Sequence, residues 1–300
     1  MMIDLHIHTT ASSDGQHGPG EIFEMSKELK LEAIAFADHN SVGSVNEGLR
    51  ISRDFGIEFI PCIEINTHYK GYDFHLLGYL IDHQDERILR WLEGLGEQKR
   101  NQIRQRVKRL RDLGFRLSVG DVEQLSAGRE PTGVSYLNAL LAREENRANP
   151  RLRAYIDGDR SDSPYLNFYL DYLAGGRPAS VFTQFISTPE AIQLVRLLEG
   201  IPVLAHPAQV KDERLFELIE AGLEGIEVYS SHHRTEDEEY FKGVCNRFNL
   251  LVTAGSDFHG KEIKPDVPLG GLRGGSYELV EKLRWAKRAR VGESVLSAGE

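Results

Sequence analysis

The sequence predicts an α/β protein with a TIM-like barrel and an inserted helical subdomain, and three observations support this prediction. Short apolar segments typical of buried parallel strands alternate with amphipathic helical segments along most of the chain. Metal-ligating residue types stand near the ends of the strand segments, as they do at the carboxyl-terminal rim of a TIM barrel. The first strand also lacks the glycine-rich turn that a doubly wound, dinucleotide-binding sheet requires. We therefore expect a barrel of six or seven β/α units rather than an open sheet.

Composition limits the class of protein. The 300 residues are 40% hydrophobic and 27% charged, which is enough for a large core in one α/β domain with an insertion. The formal charge of −10 argues against broad adhesion to nucleic acid but allows a local basic patch. Because Cys62 and Cys245 are the only cysteines, disulfide frameworks and thiolate metal clusters are excluded. The sequence contains no recognisable signal peptide or membrane-length apolar run, so we expect a cytoplasmic protein.

The first strand carries the strongest chemical signal. Apolar residues at positions 3, 5 and 7 alternate with Asp4, His6 and His8, which is the period-two pattern of a strand. His6 and His8 therefore point to the same side, where two neutral imidazoles can bind Zn, Mn or Fe. The alternative at this stage is a chance pair of surface histidines.

Helical and strand segments alternate after the first strand. A helix is predicted over 19–30, where a proline stands near the start and lysines stand near the end. The next predicted elements are a strand over 33–40, a helix over 42–54, and strands over 57–65 and 74–79. We expect these strands to be buried and parallel. Each carries one ligand-type residue near its end, namely His39, Glu64 and His75.

Between residues 85 and 175 the strand pattern gives way to helices. We interpret this segment as an inserted subdomain, with the barrel formed by 1–84 and 176–300. A helical stripe there consists of Ile103, Val107, Leu110 and Leu113. One acid and eight basic residues lie over 98–116; the basic residues are Lys99, Arg100, Arg104, Arg106, Lys108, Arg109, Arg111 and Arg116. This basic face is either only solvated or binds phosphate or nucleic acid beside the active site.

Strands and helices alternate again after the insertion. A helix is predicted over 189–198, followed by strands over 201–207, 225–230 and 251–260, which brings the number of predicted strands to seven. The first of these strands ends in His206, and the last ends in Asp257 and His259. The middle strand leads to His232 and His233.

Nine side chains of metal-ligating type lie at or just beyond the predicted carboxyl-terminal ends of strands. They are His6, His8, Asp14, His39, Glu64, His75, His206, Asp257 and His259. Nine ligands exceed what one tetrahedral or octahedral ion can use, so the set predicts a cluster of two or three divalent ions. Glu64 is the expected bridging ligand, because one carboxylate can bind two ions through its two oxygens. Ligands of this kind accept Mn, Fe and Zn, so the metal stays open.

Together these motifs resemble the polymerase and histidinol phosphatase (PHP) family. The resemblance rests on Asp4–Thr9, Ser13–Gly15, Asp38–Asn40, Leu204–Pro207 and Gly255–His259, together with Glu64 and His75. It covers roughly 1–83 and 178–290 and implies a distorted (β/α)7 barrel that holds three divalent ions. The implied ligand sets are His6, His8, Glu64 and Asp257 for the first ion, Glu64, His75 and His206 for the second, and Asp14, His39 and His259 for the third.

The resemblance also implies hydrolysis of phosphate monoesters by a metal-bridging hydroxide. Within the family, the chain is similar to the branch that acts on 3′,5′-nucleotide bisphosphates or on RNA 5′ ends. Members of that branch carry Arg-Pro-His in the insertion, where this chain has 132–135 with neither Arg nor His. Arg129 is a candidate replacement, and Arg177 resembles the family's basic phosphate contact. His232 or His233 is a candidate to protonate the leaving alkoxide.

Three other functions remain open at this stage. A phosphatase of histidinol phosphate or of another small metabolite would use the same metals on a smaller substrate. An amidohydrolase also begins with His-x-His on a barrel strand, but Asp14, Glu64 and the pair of Asp257 with His259 fit it less well. A noncatalytic module that binds metal or nucleic acid is the third alternative, and the complete ligand set argues against it. We expect a phosphorylated small molecule or short RNA as substrate, and no membrane or obligate protein partner.

Overall fold

The computed structural model describes residues 2–12, 14–126, 131–181 and 186–297. By their internal contacts, the residues divide into two units. The first unit comprises Met1–Ala11, Gly15–Leu89 and Phe185–Glu300, and the second comprises Ser12–Asp14 and Arg90–Gln184. The domain boundaries expected at residues 85 and 175 stay a prediction.

Within the described residues, the first unit contains nine strands in two sheets. The smaller sheet consists of the parallel strands β1 (Met2–Ile7), β2 (Leu31–Phe36) and β3 (Glu58–Phe59), in that order. The larger sheet consists of β4 (Cys62–Tyr69), β5 (Tyr72–Tyr79), β6 (Ile186–Ser187), β7 (Ile201–Leu204), β8 (Gly225–Ser230) and β9 (Leu251–Gly255). Its strands lie in the order β6, β4, β5, β7, β8, β9.

The two sheets meet through isolated parallel bridges, Ile7 with Phe258 and His39 with Glu64. Beside the first bridge, the N–H of His8 donates to the carbonyl of Phe258 at 2.9 Å. Across the part of the chain that the structure describes, no continuous strand ladder closes the two sheets. The predicted mixed α/β fold is therefore confirmed, but a closed TIM-like barrel is not.

The prediction that all the strands run parallel is wrong for β5, which is antiparallel to both β4 and β7. Only Lys70 and Gly71 connect β4 to β5, and both have positive φ, 48° and 87°. Such a two-residue turn joins antiparallel strands and is too short for a parallel crossover. The start of β5 therefore lies beside the end of β7, where the N–H of Ala205 donates to the carbonyl of His75 at 3.0 Å. His75 is the fourth of the eight residues of β5, so it lies in the middle of its strand and not near its end.

The single strand predicted over 57–65 covers two strands in different sheets, β3 and the first half of β4. Pro61 lies between them, and proline has no backbone N–H to donate to a strand ladder. Glu64 is consequently the third residue of β4 rather than a residue at a strand end.

Eleven α-helices are present in the described ranges. They are α1 (Pro19–Glu28), α2 (Val45–Phe55), α3 (Glu86–Asp112), α4 (Val119–Ser126), α5 (Gly133–Leu141), α6 (Pro150–Ile156), α7 (Pro164–Phe168), α8 (Thr188–Leu197), α9 (Glu213–Glu220), α10 (Thr235–Phe248) and α11 (Tyr277–Ser297). Three of them begin at a proline, whose fixed φ suits the first turn and whose missing N–H leaves no bond unmade there. No described helix combines the length and apolarity that a membrane crossing needs. The expected cytoplasmic location stays a prediction.

The core of the first unit follows from strand alternation. Ala33 and Ala35 of β2 belong to one buried hydrophobic cluster, whereas Ile34 and Phe36 belong to another, which also contains Phe23 of α1. A strand buried on both faces is typical of a sheet covered by other layers. The alanines pack with core residues of other strands, and the larger side chains on the other face pack with residues of α1 and α2.

The second unit has its own hydrophobic cluster, built from α3 to α7. Ile103, Val107 and Leu110 of the predicted stripe are buried in it, and Leu113 packs at its edge. Arg106 departs from the prediction of an exposed basic face, since it is buried with its guanidinium 5.6 Å from the ring centre of Tyr136. The other basic side chains described on 98–116 are exposed.

Candidate metal centre

Eight of the nine predicted metal ligands lie in the first unit, and the structure brings all eight together. Their potential ligand atoms form overlapping groups, within each of which all atoms lie within 4.8 Å of one another. These groups are His8, His39 and His259; His6, His8 and Asp257; His6, Glu64 and His206; and His39, Glu64 and His75. Because the groups share members, the eight side chains form one continuous cluster, which we call the histidine cluster.

Hydrogen bonds of the backbone and of one buried carboxylate hold together the segments that carry the ligands. The N–H of Asp257 donates to the carbonyl of His6 at 2.9 Å, just after β9 ends. On the other side of β1, the buried carboxylate of Asp38 accepts from the N–H and the hydroxyl of Thr9 at 2.7 and 2.9 Å. Asp38 precedes His39 and Thr9 follows His8, so this pair fixes two ligand segments relative to each other.

Three residues in the segments of the histidine cluster have left-handed backbones, although none is a glycine. The φ angles are +46° at Asn40, +29° at His206 and +61° at Asp257. Such conformations cost of order 1 to 3 kcal/mol each and persist only where surrounding contacts hold them. The N–H of Asn40 is held by the carbonyl of Glu64 at 2.7 Å. Strain of this kind is typical of functional sites.

Glu64 lies at the centre of the histidine cluster and is fully buried. Five ring nitrogens surround its two oxygens: His75 Nδ1 at 2.9 Å, His39 Nδ1 at 3.0 Å, His8 Nε2 at 3.2 Å, His6 Nε2 at 3.3 Å and His206 Nε2 at 3.4 Å. Among the described residues, neither oxygen of Glu64 has a partner with hydrogen-bond geometry, and Nδ1 of His8 and of His75 also lack one. Leaving a buried polar atom unbonded costs about 1 to 3 kcal/mol.

A divalent cation would satisfy this arrangement. Neutral imidazole nitrogens and carboxylate oxygens are the donors that Zn, Mn and Fe accept in proteins, and a cation converts the unbonded lone pairs into ligands. The donor set therefore fits a metal centre. In the groups above, His75 lies with His39 and Glu64, whereas His206 lies with His6 and Glu64. The clustered atoms thus do not by themselves divide into the three ligand sets that the resemblance implies.

The electrostatics of the histidine cluster keep its carboxylates charged. Burial alone would raise the pKa of the Glu64 carboxyl, but the nearby His39, His6 and His75 bring it well below its usual range. The pKa of Asp257 is likewise lowered, because Lys264, His259 and His6 outweigh the effect of burial.

The pKa values of His6 and His206 are shifted in opposite directions. Burial lowers the pKa of His206 to about 4, so its neutral, metal-binding form prevails at pH 7. Burial also opposes charge on His6, but Glu227, Glu64 and Asp257 raise its pKa well above the usual range. A metal at His6 therefore competes with a proton.

Asp257 also contacts two groups at the border of the histidine cluster. Its Oδ2 lies 2.7 Å from Nε2 of His232 and 2.5 Å from Nζ of Lys264. His233 is turned away from Asp257, because its ring stacks on Phe241 and its Nδ1 lies 2.8 Å from the carbonyl of Val228. Of the two candidate proton donors, only His232 is brought to the histidine cluster.

Sequence reasoning missed two residues of this site, Lys264 and Glu227. Lys264 lies in a turn-rich stretch seven residues after Asp257, where no periodic pattern marks it. Glu227 could have been recognised from the sequence, because it is a charged residue inside the apolar segment of β8. In the structure it is fully buried. An acid in such a place is normally paired or bound to metal.

The remaining predicted site residues stay predictions. Asp14 belongs to the second unit, where it accepts a hydrogen bond from the hydroxyl of Ser12. Arg177 is exposed in a turn of the same unit, and its N–H donates to the carbonyl of Ala174 at 3.0 Å. Arg129 lies outside the described residues.

The sequence model of the PHP domain matches residues 4–152 of this chain. The chain belongs to the PHP family. Three curated relatives match most of its length. A phosphoribosyl 1,2-cyclic phosphate 1,2-diphosphodiesterase of Eggerthella lenta is 25% identical, and the matched region covers 87% of this chain and 95% of the relative. A 5′-3′ exoribonuclease of Haemophilus influenzae is 25% identical over 85% of this chain and 89% of the relative. A 3′,5′-nucleoside bisphosphate phosphatase of Chromobacterium violaceum is 24% identical over 86% of this chain and 87% of the relative.

Two solved structures share the fold of this chain. A crystal structure from Bifidobacterium adolescentis, described as a metal-dependent phosphoesterase, has a TM-score of 0.76, 25% identity and 94% coverage of both chains. An amidohydrolase from Chromobacterium violaceum with bound sulfate has a TM-score of 0.75, 23% identity and 92% coverage of both chains, and this likeness concerns the fold alone. The chain is a metal-dependent phosphoesterase of the PHP family, as the sequence motifs predicted.

Proposed function

We propose that this PHP phosphoesterase hydrolyses a phosphate ester of a nucleotide 3′,5′-bisphosphate or of an RNA 5′ end. Three divalent ions of Mn, Fe or Zn, held by the histidine cluster and Asp14 at the rim of a distorted (β/α)7 barrel, are part of this proposal. The observation that carries it is Glu64, a buried carboxylate with five histidine nitrogens within 3.4 Å and no hydrogen bond among the described residues. Divalent cations would give the two oxygens of this carboxylate the ligand bonds that they lack.

Each residue has a definite task in this proposal. When bound, the divalent ions neutralise the phosphoryl oxygens and lower the pKa of water toward 7. Glu64 offers one oxygen to each of two neighbouring groups of histidines, so it is suited to bridge two ions. Asp257 offers Oδ1 to the side where Nε2 of His8 lies, at 3.1 Å, and keeps Oδ2 for His232 and Lys264.

His232 is the proposed general acid. Its side chain is 40% exposed, so it is accessible to a bound substrate. Asp257 holds the ring at Nε2, which leaves Nδ1 as the nitrogen that donates a proton to the leaving oxygen. The Lys264 ammonium, on the same carboxylate, is available as a charged contact for the phosphoryl group, and Arg177 remains a second candidate.

The substrate class is supported by what the relatives have in common. The three printed activities concern a phosphoribosyl cyclic phosphate, RNA and a nucleoside bisphosphate, each of which contains a phosphorylated ribose. The shared element is a phosphate ester on or next to ribose. We therefore propose a ribose phosphate ester as the substrate of this chain and place a histidinol-phosphate activity second.

A substrate screen tests the proposal, with phosphate release measured for the monoesters and chromatography of the products for the RNA and the cyclic phosphate. The Mn²⁺-loaded protein is assayed against a nucleotide 3′,5′-bisphosphate, a 5′-phosphorylated RNA oligonucleotide, a cyclic ribose phosphate and histidinol phosphate, with chelator-treated protein as the control. We expect the highest kcat/KM on the bisphosphate or the RNA and no activity after chelation. A higher kcat/KM on histidinol phosphate would contradict the proposed substrate class, and activity that survives chelation would contradict the mechanism.

A further inference from the structure

We infer that Glu227 is a positioning residue that sets the orientation of His6 and the backbone of His206 for metal binding. This inference rests on the metal centre of the proposed function. Glu227 lies on β8 and is fully buried. Its Oε1 is 3.0 Å from Nδ1 of His6, and its Oε2 accepts from the N–H of His206 at 3.1 Å. One carboxylate thus holds two ligand residues that are 200 positions apart in sequence.

The contact with His6 decides which of its nitrogens is available to a metal. A carboxylate oxygen accepts hydrogen bonds, so in the neutral, metal-binding form of His6 the proton is on Nδ1 and Nε2 keeps its lone pair. Nε2 points into the histidine cluster, where it lies 3.3 Å from Oε1 of Glu64 and 3.5 Å from Oδ1 of Asp257. A carboxylate behind a ligand histidine fixes the ring and makes it a stronger ligand.

The contact with His206 acts on the backbone instead. His206 follows the end of β7 and has a φ of +29°, a conformation that a residue with a side chain rarely adopts. The bond from its N–H to Glu227 satisfies a donor in this strained turn and holds the residue there. Nε2 of His206 then lies 3.4 Å from Oε1 of Glu64.

The residues around Glu227 pack closely against its contact with His6. A Cβ added at Gly255 of β9 would lie 2.4 Å from Oε1 of Glu227 and 2.1 Å from Cβ of His6. Only glycine therefore allows β9 to pass this close to the pair. Glu227 itself is absent from the groups of ligand atoms found among the described residues, and both of its oxygens have partners. It acts on the metal through His6 and His206.

The test compares Glu227→Gln and Glu227→Ala with Glu58→Gln as a matched control. Glu58 pairs with Arg284 and accepts from the hydroxyl of Tyr277, outside the histidine cluster, so its loss measures the effect of removing a paired acid. Glutamine has the shape of glutamate, but it presents an amide N–H₂ to one of the two N–H donors, so one of the two hydrogen bonds is lost. The measurements are Mn²⁺ titration by calorimetry, kcat at saturating Mn²⁺, the thermal midpoint without metal, and ¹⁵N spectra of Zn²⁺-loaded protein.

We expect Glu227→Gln to weaken Mn²⁺ binding by about 10- to 100-fold, with kcat largely recovered at saturating Mn²⁺. Glu58→Gln should lower the thermal midpoint and leave Mn²⁺ affinity unchanged. In the Zn²⁺-loaded wild type, His6 should carry its proton on Nδ1. If Glu227→Ala does not fold, the glutamine variant and the spectra still decide the question.

Unchanged Mn²⁺ affinity in Glu227→Gln, an effect limited to the thermal midpoint, or a proton on Nε2 of His6 would each overturn the inference. The titration needs no substrate, so it separates this inference from the proposed function. A protein that shows the expected Mn²⁺ affinities but hydrolyses no ribose phosphate ester contradicts the proposed function and supports the role of Glu227. A wild type that binds no divalent ion overturns both.

Discussion

The first and second units use ionisable side chains in opposite ways. In the first, His6, His8 and Glu64 are fully buried, and their side-chain atoms approach one another to 3.2 to 3.3 Å. In the second, Lys108 on α3 is 77% exposed and pairs with Asp112 at 2.8 Å across one helical turn. A surface pair of this kind contributes little to stability, whereas burying charged groups is costly unless something binds them. The difference shows that the burial of the charged groups, rather than their number, marks the chemical site of this chain.

Removing ligands from the histidine cluster should have the largest effect. His8→Ala and Asp257→Asn should each abolish phosphoesterase activity and reduce the bound metal. Each variant removes one metal ligand and changes the charge balance among the ligands that remain. Phosphate release and metal analysis of the purified variants check this. His68→Ala is a matched control, since His68 pairs with Asp73 on the β4–β5 hairpin and lies outside the cluster. Full activity in either variant would exclude the substituted residue as a metal ligand.

Metal removal should have the second largest effect. A ligand that binds only the folded protein adds about 2.7 kcal/mol of stability at one hundred times its Kd. We therefore expect chelation to abolish activity and to lower the thermal midpoint by several degrees, and Mn²⁺ to restore both. Calorimetric unfolding with and without chelator measures the change. An identical midpoint in both conditions would mean that the buried carboxylates do not depend on cations.

Lys264→Met should have a smaller effect than the loss of a ligand. The variant removes a cation next to Asp257 and leaves the eight clustered ligands in place. A lost charge-assisted contact costs about 1.5 to 3 kcal/mol, so KM should rise by about ten- to a hundredfold while the bound metal stays constant. Steady-state kinetics and metal analysis on the same preparation separate the two effects. If metal content falls together with activity, Lys264 supports Asp257 rather than the substrate.

The smallest effect is expected from the exposed face of α3. If this face binds a part of the substrate remote from the reacting phosphate, neutralising Arg104, Lys108 and Arg111 together should lower kcat/KM on oligonucleotides only. A small chromogenic phosphate monoester is the control and should be hydrolysed at an unchanged rate. The loss should also shrink at high salt, because screening weakens contacts between exposed charges. Equal rates on RNA across a salt series would show that these residues are only solvated.

The sequence was most informative where a local pattern has a direct structural meaning. The alternation around His6 and His8 predicted a strand that presents both rings to one side, and the strand endings near His206 and Asp257 predicted a shared edge. The structure has these strands and brings the four residues together. Apolar periodicity does not depend on strand direction, however, so the antiparallel course of β5 was not predicted, although Lys70-Gly71 was a sign of it.

Local sequence patterns could not predict contacts between residues that lie far apart in the sequence. Glu227 meets His6 across 221 positions in sequence, and no spacing rule connects two such residues. The burial of Arg106 was missed for a related reason, because a basic residue on an amphipathic helix is normally assigned to the solvent side. The two sheets approach each other through single backbone bridges, which a local strand pattern does not reveal.

The bridge between Ile7 and Phe258 has a consequence for the time at which the site can form. Five of the eight clustered ligands precede residue 200, and the other three, His206, Asp257 and His259, are synthesised last. A growing chain on the ribosome therefore displays an incomplete chelator for much of its synthesis. Contacts between such distant positions form slowly, because a long loop must close first. The complete ligand set therefore exists only once the segment after β9 has joined β1.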